Sequence, residues 1–437
     1  MKVAIIGSGI SGLSCAWMLA KQSQNCDITL FEAADTLGGH TATVDVSLDG
    51  RDYAIDTGFI VYNTRTYPNF IALLHELGIQ GQPTEMSFSV HNPVSGLEYN
   101  GHTLNTLFAQ RRNLFKPKFW RFLREILRFN KLCKMRLHNP ANDEVTLGDL
   151  LDQNQFSDFF ALHYILPMGA AIWSSSLDDM SKFPLSLFLR FFENHGLLDV
   201  TNRPQWMVVP GGSREYIRRM QQKIPANVEL LTSTPVHSVV RHAAGVTLHT
   251  SRGTEHFDQV IFACHADQAL RLLGENATED EKDILGALPY QSNEVILHND
   301  RRYLPKQQRA WASWNYQLPV ESPNAKARRA SVTYNMNILQ GLVAPHVFCV
   351  SLNPTTPVEE SKILFRAHYM HPVLNLASHC AQLQRGWING HHRTWFCGAY
   401  WYNGFHEDGV NSAKDVVEDL LKNHPVLLQP RAERAAS

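Results

Sequence analysis

Three glycines in the string Gly7-Ser8-Gly9-Ile10-Ser11-Gly12 follow directly on a short apolar run, Lys2-Val3-Ala4-Ile5-Ile6. Such a run reads as a parallel strand covered on both faces, and the glycines as the turn leaving it. Gly7 permits the tight turn, Gly9 lets backbone N–H groups approach a pyrophosphate, and Gly12 lets the next helix pack closely on the strand. That helix, read over Leu13 to Lys21, would set the phosphate on its positive N-terminal end, with Ser11 in the same loop. A second strand, Asp27-Ile28-Thr29-Leu30-Phe31, ends in Glu32, twenty residues past Gly12. A carboxylate at that offset can accept the ribose hydroxyls of an adenine dinucleotide and repels a 2′-phosphate, which favours FAD or NAD over NADP.

The rest of the chain must hold that loop in place. Its 437 residues suggest two or three domains, and 44% hydrophobic content is enough for a sizeable core. A net charge of −1 argues against a chain-wide polyanion partner, and no nucleic-acid motif is found. A strand beginning at Lys2 leaves no room for a signal peptide, and no apolar run approaches the ~20 residues of a membrane span. A cytoplasmic chain is expected. Seven cysteines, none in a C-x-x-C pair, read as reduced thiols. The histidine pairs His368/His371 and His391/His392 have no neighbouring ligands that would close a metal site, so no metal is expected.

Past Glu32 and Ala33 comes Gly38-Gly39-His40-Thr41, which resembles the second flavin signature of glutathione-reductase-type flavoproteins. In the amine oxidase and phytoene desaturase branch of that superfamily a Gly-Gly-Arg segment lies along ribitol and pyrophosphate; here His40 stands at the arginine position. Asp56-Thr57-Gly58-Phe59 is similar to the branch's short segment beside the flavin. Val236, in the succession Val228-Glu229-Leu230-Leu231 to Val236-His237-Ser238-Val239-Val240, would by the same resemblance contact adenine. The stretch from Trp395 to Gly398, and on through Glu407-Asp408-Gly409-Val410, looks like the C-terminal flavin motif. Where relatives carry an acid after the strand glycine this chain has Ala399, so that ribitol contact is lost or passes to Glu407 or Asp408.

The nearest resemblance within the superfamily is to bacterial FAD-dependent oxidoreductases similar to the N-terminal flavin domain of plant cyclopropane fatty acid synthases. It is carried by Gly38-Gly39-His40, Asp56-Thr57-Gly58-Phe59, Leu166-Pro167 with Ala171-Ile172-Trp173, Val209-Pro210-Gly211-Gly212-Ser213, Cys264-His265-Ala266-Asp267 and Gly404-Phe405-His406-Glu407-Asp408-Gly409. The resemblance implies FAD as cofactor and oxidation or desaturation of a modified fatty acyl chain, by hydride transfer from a C–H to flavin N5. His406 and Glu407, with His163 behind them, are the candidate bases. Tyr400, Trp401 and Trp173 are candidate pocket walls, although core packing is the ordinary fate of such residues. Two other readings stand beside this one: an amine oxidase that releases peroxide, and a flavin-binding partner of a lipid methyltransferase without turnover of its own.

The expected fold is α/β. A discontinuous Rossmann-like FAD domain of the glutathione-reductase type (1–66, 205–267 and 391–425) interleaves with an α+β substrate domain (67–204 and 268–390), and 426–437 form a tail. Within the substrate domain, residues 111–136 carry ten basic side chains against one acid, Glu125, interleaved with Phe119, Trp120, Phe122 and Phe129. This is the pattern of a helix lying on an anionic bilayer, which would make the protein peripheral on the inner membrane face. It is equally the pattern of a two-sided helix covering a core with its basic face in water.

Overall fold

A computed structural model describes residues 1–137, 145–199, 203–319, 327 and 329–428. Residues 429–437 of the expected tail lie outside the described residues.

β1 (Lys2–Ile6) lies at the centre of a five-stranded parallel sheet, ordered Val228–Leu231, β2 (Asp27–Phe31), β1, Gln259–Phe262 and Thr394–Phe396. Its near-continuous apolar run has a simple cause, because alternate side chains enter two different cores. Val3 and Ile5 pack with α1 (Ile10–Gln22), α2 (Pro68–Leu77) and the C-terminal helix His406–Asn423. Ala4 and Ile6 pack with helices Ala266–Leu273 and Glu279–Gly286, and with the antiparallel strands Val236–His242, Gly245–Thr250 and Gly253–Phe257. The sheet is thus assembled from three distant pieces of chain. The helices that cover it reach beyond the cuts expected at 66/67 and 267/268, since α2 and Ala266–Gly286 bury their apolar faces on it.

The second body is a seven-stranded mixed sheet, ordered Ile363–Pro372, Tyr290–His298, Cys349–Leu352, Ser331–Asn335, Trp314–Gln317, Phe88–Asn92 and Leu97–Asn100. The alternation from Phe88 to Asn100 with the Asn100-Gly101 pair predicts a hairpin turning there; Phe88–Asn92 and Leu97–Asn100 do pair as a hairpin, but the turn lies elsewhere. The Asn92 carboxamide oxygen accepts from Val94 N and Ser95 N and starts the turn there, which closes at Gly96 with φ +66°. Helices of residues 104–194 cover this sheet over an aromatic core. The apolar stretch from Phe159 to Ser174 is not one uniform helix. Pro167 lacks an N–H, and the chain passes it through a π turn, Ala161–Ile165, before Leu166–Trp173.

The basic stretch forms helix Pro117–Leu137. Phe119, Phe122, Phe129 and Cys133 enter the core, and the cations face outward. No helix among the described residues is long and apolar enough to cross a membrane.

Arg241 and Glu281 tie the three-stranded sheet to helix Glu279–Gly286, with Nη1 2.5 Å from Oε1 and only 8% and 1% of the side chains exposed. Removing one partner from such a pair leaves a buried charge. Glu281→Gln is expected to cost about 3–5 kcal/mol in urea unfolding, whereas Arg366→Gln, at the exposed pair with Glu294, should cost at most about 1 kcal/mol.

Candidate functional site

The site begins at the first turn of α1. Ile10, Ser11 and Gly12 are buried, the first intrahelical bond runs from Leu13 N to Gly9 O, and no side chain caps the helix and no acid lies in its first turn. Elsewhere Thr146, Ser176, Thr278 and Asn375 cap their helices. An anion is what such a buried, uncapped N-terminus accepts. The glycines fit that role. A Cβ on Gly12 would come 1.9 Å from the Gly7 carbonyl oxygen, so the helix packs directly on the turn, while a Cβ on Gly9 would meet nothing within 4 Å. Gly39, with φ +57°, passes over Gly9, where its added Cβ would stand 3.2 Å from the Gly9 Cα.

Glu32 lies beside this loop. Its Oε2 accepts from Ser8 N at 2.9 Å and Ser8 Oγ at 2.5 Å, and its Oε1 from Ala34 N at 2.9 Å. Those three bonds leave one of a carboxylate's roughly four acceptor positions for a ribose hydroxyl. Gly38 N donates to Ser8 Oγ, Ala33 is exposed, and Thr234 N donates to the Glu32 carbonyl, which brings the loop ahead of Val236 alongside.

The C-terminal helix starts against α1. A Cβ on Gly409 would come 2.6 Å from Ile10 Cγ2 and 3.0 Å from Ser11 Oγ, and Val410 is fully buried. Gly398 N is bonded to Ser412 Oγ at 2.9 Å. The acids expected to stand in at Ala399 are otherwise engaged. Glu407 accepts from Asn69 N, Asn69 Nδ2 and Phe70 N at 2.8–3.0 Å and so caps α2. Asp408 accepts from Phe405 N at its own helix start, and burial pushes its carboxyl up to about 7.

His406 stacks on Phe59 at 3.5 Å between ring centroids, and its Nε2 lies 3.1 Å from both Thr41 Oγ1 and Tyr216 Oη. Thr57, Gly58 and Phe59 run beside the Gly-Gly-His segment: Phe59 N donates to His40 O, and Thr57 Oγ1 meets Tyr369 Oη at 2.9 Å. His163 is more remote. Its Nδ1 is 3.0 Å from Phe159 O and its Nε2 3.0 Å from Asn92 Nδ2, so both ring nitrogens are occupied. Tyr400 and Trp401 pack into the core below the parallel sheet, where Trp401 Nε1 donates to Phe396 O.

What sequence reasoning did not single out is a group of imidazoles around His40. His371 lies 5.8 Å and His265 5.7 Å from it, Tyr369 lies at 5.3 Å, and His265 stacks on Tyr290 at 4.4 Å. His371 Nδ1 is 3.0 Å from Ser174 Oγ, one residue past Trp173. Trp173 packs on Phe191 at 4.9 Å, Phe191 stacks on Phe405 at 5.1 Å, and His406 closes the circuit back through Thr41 to His40. The signal for His265 was its position just past a parallel strand, where open α/β sheets bind ligands; for His371 and Ser174 there was none.

All four imidazoles are driven toward neutrality, chiefly by burial. His265 falls to about 4, His371 to about 3 with His40 and His265 adding to the effect, and His40 and His406 also fall. Among the described residues no three His, Cys, Asp or Glu side chains converge as metal ligands. The His40 ring bonds the Met370 backbone, and its Nε2 is buried without a partner.

The pattern of the flavin-containing amine oxidoreductase family matches residues 10–334. A 37-residue stretch is 57% identical to coproporphyrinogen III oxidase of Staphylococcus aureus; the match covers 8% of this chain and only 8% of that relative's length. Three solved structures share the fold. A candidate protoporphyrinogen oxidase from Exiguobacterium sp. 255-15 has TM-score 0.68 at 17% identity, covering 97% of this chain and 99% of that one. Cyclohexylamine oxidase from Brevibacterium oxydans IH-35A has TM-score 0.67 at 15% identity, covering 96% and 99%. A fatty acid isomerase from P. acnes that produces CLA has TM-score 0.67 at 14% identity, covering 97% and 98%.

Two tests follow from this geometry. Gly9→Ala has room for its methyl group, so its unfolding temperature should stay at the wild-type value while flavin retention, read from visible absorbance, falls about tenfold or more, because the methyl blocks close backbone approach. The imidazoles set a pH dependence. Their folded values lie below the ordinary 6.5, so the unfolded chain binds the extra protons, and stability is full above about 6.5 and is lost as pH falls toward about 4 and about 3. His371→Gln should flatten the acid limb of the urea midpoint between pH 7 and 4.

Proposed function

The chain belongs to the family of flavin-containing amine oxidoreductases and is an FAD-dependent oxidoreductase; from that premise we propose that its substrate is a fatty acyl chain, which it desaturates. The uncapped first turn of α1 with Gly9 would hold the pyrophosphate, Glu32 the adenosine ribose, and the Gly38–Thr41 and Thr57–Phe59 segments with the start of the C-terminal helix the flavin end. Bound FAD supplies a two-electron acceptor for hydride.

The observation that carries the acyl reading is the chemistry of the circuit itself. Trp173, Phe191, Phe405, Ser174 and the neutral imidazoles are aromatic or uncharged polar groups, Glu407 and Asp408 are bound as helix caps, and Asp267, two residues past His265, faces Arg271. An ammonium substrate finds no free counter-charge in this set, whereas an acyl chain needs none.

Of the candidate bases, His406 and His163 already have partners on Nε2, and Glu407 has them on both oxygens. His40, expected from the sequence as a cofactor contact and not as a base, has a free position among the described residues, since its other nitrogen faces the Met370 backbone and its Nε2 is unpartnered. In the proposed reaction His40 Nε2 would take the proton from one C–H of the acyl chain, while the adjacent C–H would lose its electron pair to the two-electron acceptor that bound FAD would supply, leaving the C=C bond. His371 and His265 are placed to spread the resulting positive charge.

Anaerobic mixing of the yellow protein with unsaturated acyl phospholipids should bleach the flavin, and a panel of mono- and polyamines should not. Bleaching and peroxide release with amines alone would instead establish the amine oxidase reading that the family also allows. His40→Gln should slow acyl-dependent bleaching by about 10²–10⁴ with the oxidised spectrum retained.

A further inference from the structure

The sequence-level picture of a helix laying its aromatic face on a bilayer fails, because Phe119, Phe122 and Phe129 are inside the protein. The opposite face is the unusual one. Six of the fourteen large apolar side chains left exposed among the described residues fall between 104 and 135: Leu104 at 77%, Leu114, Phe115 at 86%, Trp120, Leu127 and Met135. They alternate with exposed cations. On helix Pro117–Leu137, Trp120, Arg124, Leu127 and Lys131 follow each other at i, i+4, i+7 and i+11 and so form one outward stripe, flanked by Arg121 and Arg128. Phe115 and Lys116 stand just before its first turn.

The charge on this surface is one-sided. From 104 to 131 the one acid is Glu125, and it is buried, accepting from Ser157 N at 3.1 Å and Ser157 Oγ at 2.5 Å. Some cations are partly engaged: Arg111 with Asn105 and Phe108, Arg128 with Asn154 O, Lys118 over Phe159. Lys116, Arg124 and Lys131 make no ion pair among the described residues. A merely solvated basic surface has no use for a phenylalanine left 86% exposed, and a nucleic acid could stack a base on its ring but has no use for the exposed aliphatics Leu104, Leu114, Leu127 and Met135. An anionic lipid interface uses both, with cations at the phosphates and Phe and Trp among the headgroups.

We propose that this face, from Leu104 to Lys131, docks the protein on an anionic lipid bilayer, with Phe115 inserted and Lys116, Arg124 and Lys131 at the headgroup phosphates. The inference rests on the surface alone and stands whether or not the substrate is an acyl chain.

The test uses the flavin-loaded full chain and sedimentation with vesicles of phosphatidylcholine, alone or mixed with phosphatidylglycerol. Binding to the mixed vesicles at low salt is expected, with little to phosphatidylcholine alone and loss at about 1 M salt, where the screening length falls to about 3 Å. The double variant Arg124→Glu, Lys131→Glu should lower partitioning about tenfold or more, and Phe115→Ser about threefold or more, each with wild-type flavin spectrum and unfolding temperature because the changed side chains are exposed. Absent binding to the mixed vesicles at low salt would overturn the proposal. So would equal binding to both vesicle types, binding unchanged in both variants, or retention on an oligonucleotide with none on vesicles. Flavin bleaching by detergent-dispersed lipid, measured on the same variants, reads the acyl proposal separately.

Discussion

The structure turns on the first turn of α1 being buried without a cap. A buried N–H with no acceptor costs about 1–3 kcal/mol, and this turn presents several ahead of the first intrahelical bond at Leu13 N. Three close approaches keep it so: Gly12 against the Gly7 carbonyl, Gly39 over Gly9, and Gly409 against Ile10 and Ser11. Each brings in a different stretch of chain, and at each a side chain would force the backbones apart. A fold that presses three segments around an unneutralised helix end is matched to a ligand carrying negative charge along its length, as a dinucleotide does at its pyrophosphate.

Once those segments converge, the rest of the site follows from topology. His40 comes soon after β2, His265 stands just past Gln259–Phe262, His371 ends the outer strand of the other sheet, and His406 starts the C-terminal helix. The discontinuous order brings them together, because the parallel sheet is not complete until Thr394–Phe396 pairs with Gln259–Phe262. Ser174 reaches His371 across 197 positions of sequence. The imidazoles therefore belong to neither body alone, and the ring they make with Trp173, Phe191 and Phe405 is a product of the two sheets meeting.

Much of the nucleotide end was readable from local pattern. An apolar strand, a glycine turn and an acid at a fixed offset are short-range features, and β1, β2, Val228–Leu231 and the strand from Val236 lie where the pattern put them, while α1 starts three residues earlier than read, at Ile10. Within the histidine circuit His371 had no such marker, since a histidine in a strand looks the same whether it faces a partner or water. Glu407 looked like a free acid beside the helix start, and only the packing of α2 shows that the Asn69 and Phe70 amides take both of its oxygens. The basic helix was left between two readings for a related reason. Periodicity identifies two faces, but which of them meets the core depends on neighbours that are distant in sequence.

The absence of charge in the circuit has a consequence for selectivity. Burial holds the four imidazoles neutral, so an incoming cation would have to shed water without gaining a counter-ion, at a cost of several kcal/mol. An amine could enter only as its neutral free base, a small fraction of the total near neutral pH given ordinary amine values near those of lysine. A methylene chain pays no such penalty, and its transfer onto Trp173, Phe191 and Phe405 is favourable by about 0.8 kcal/mol per buried methylene. If desaturation is the reaction, as proposed, the single proton it sets free can be shared among His40, His371 and His265. A permanent cation at position 40 would raise the energy of that proton, so histidine, where the flavin-signature resemblance leads one to expect arginine, fits the proposed role.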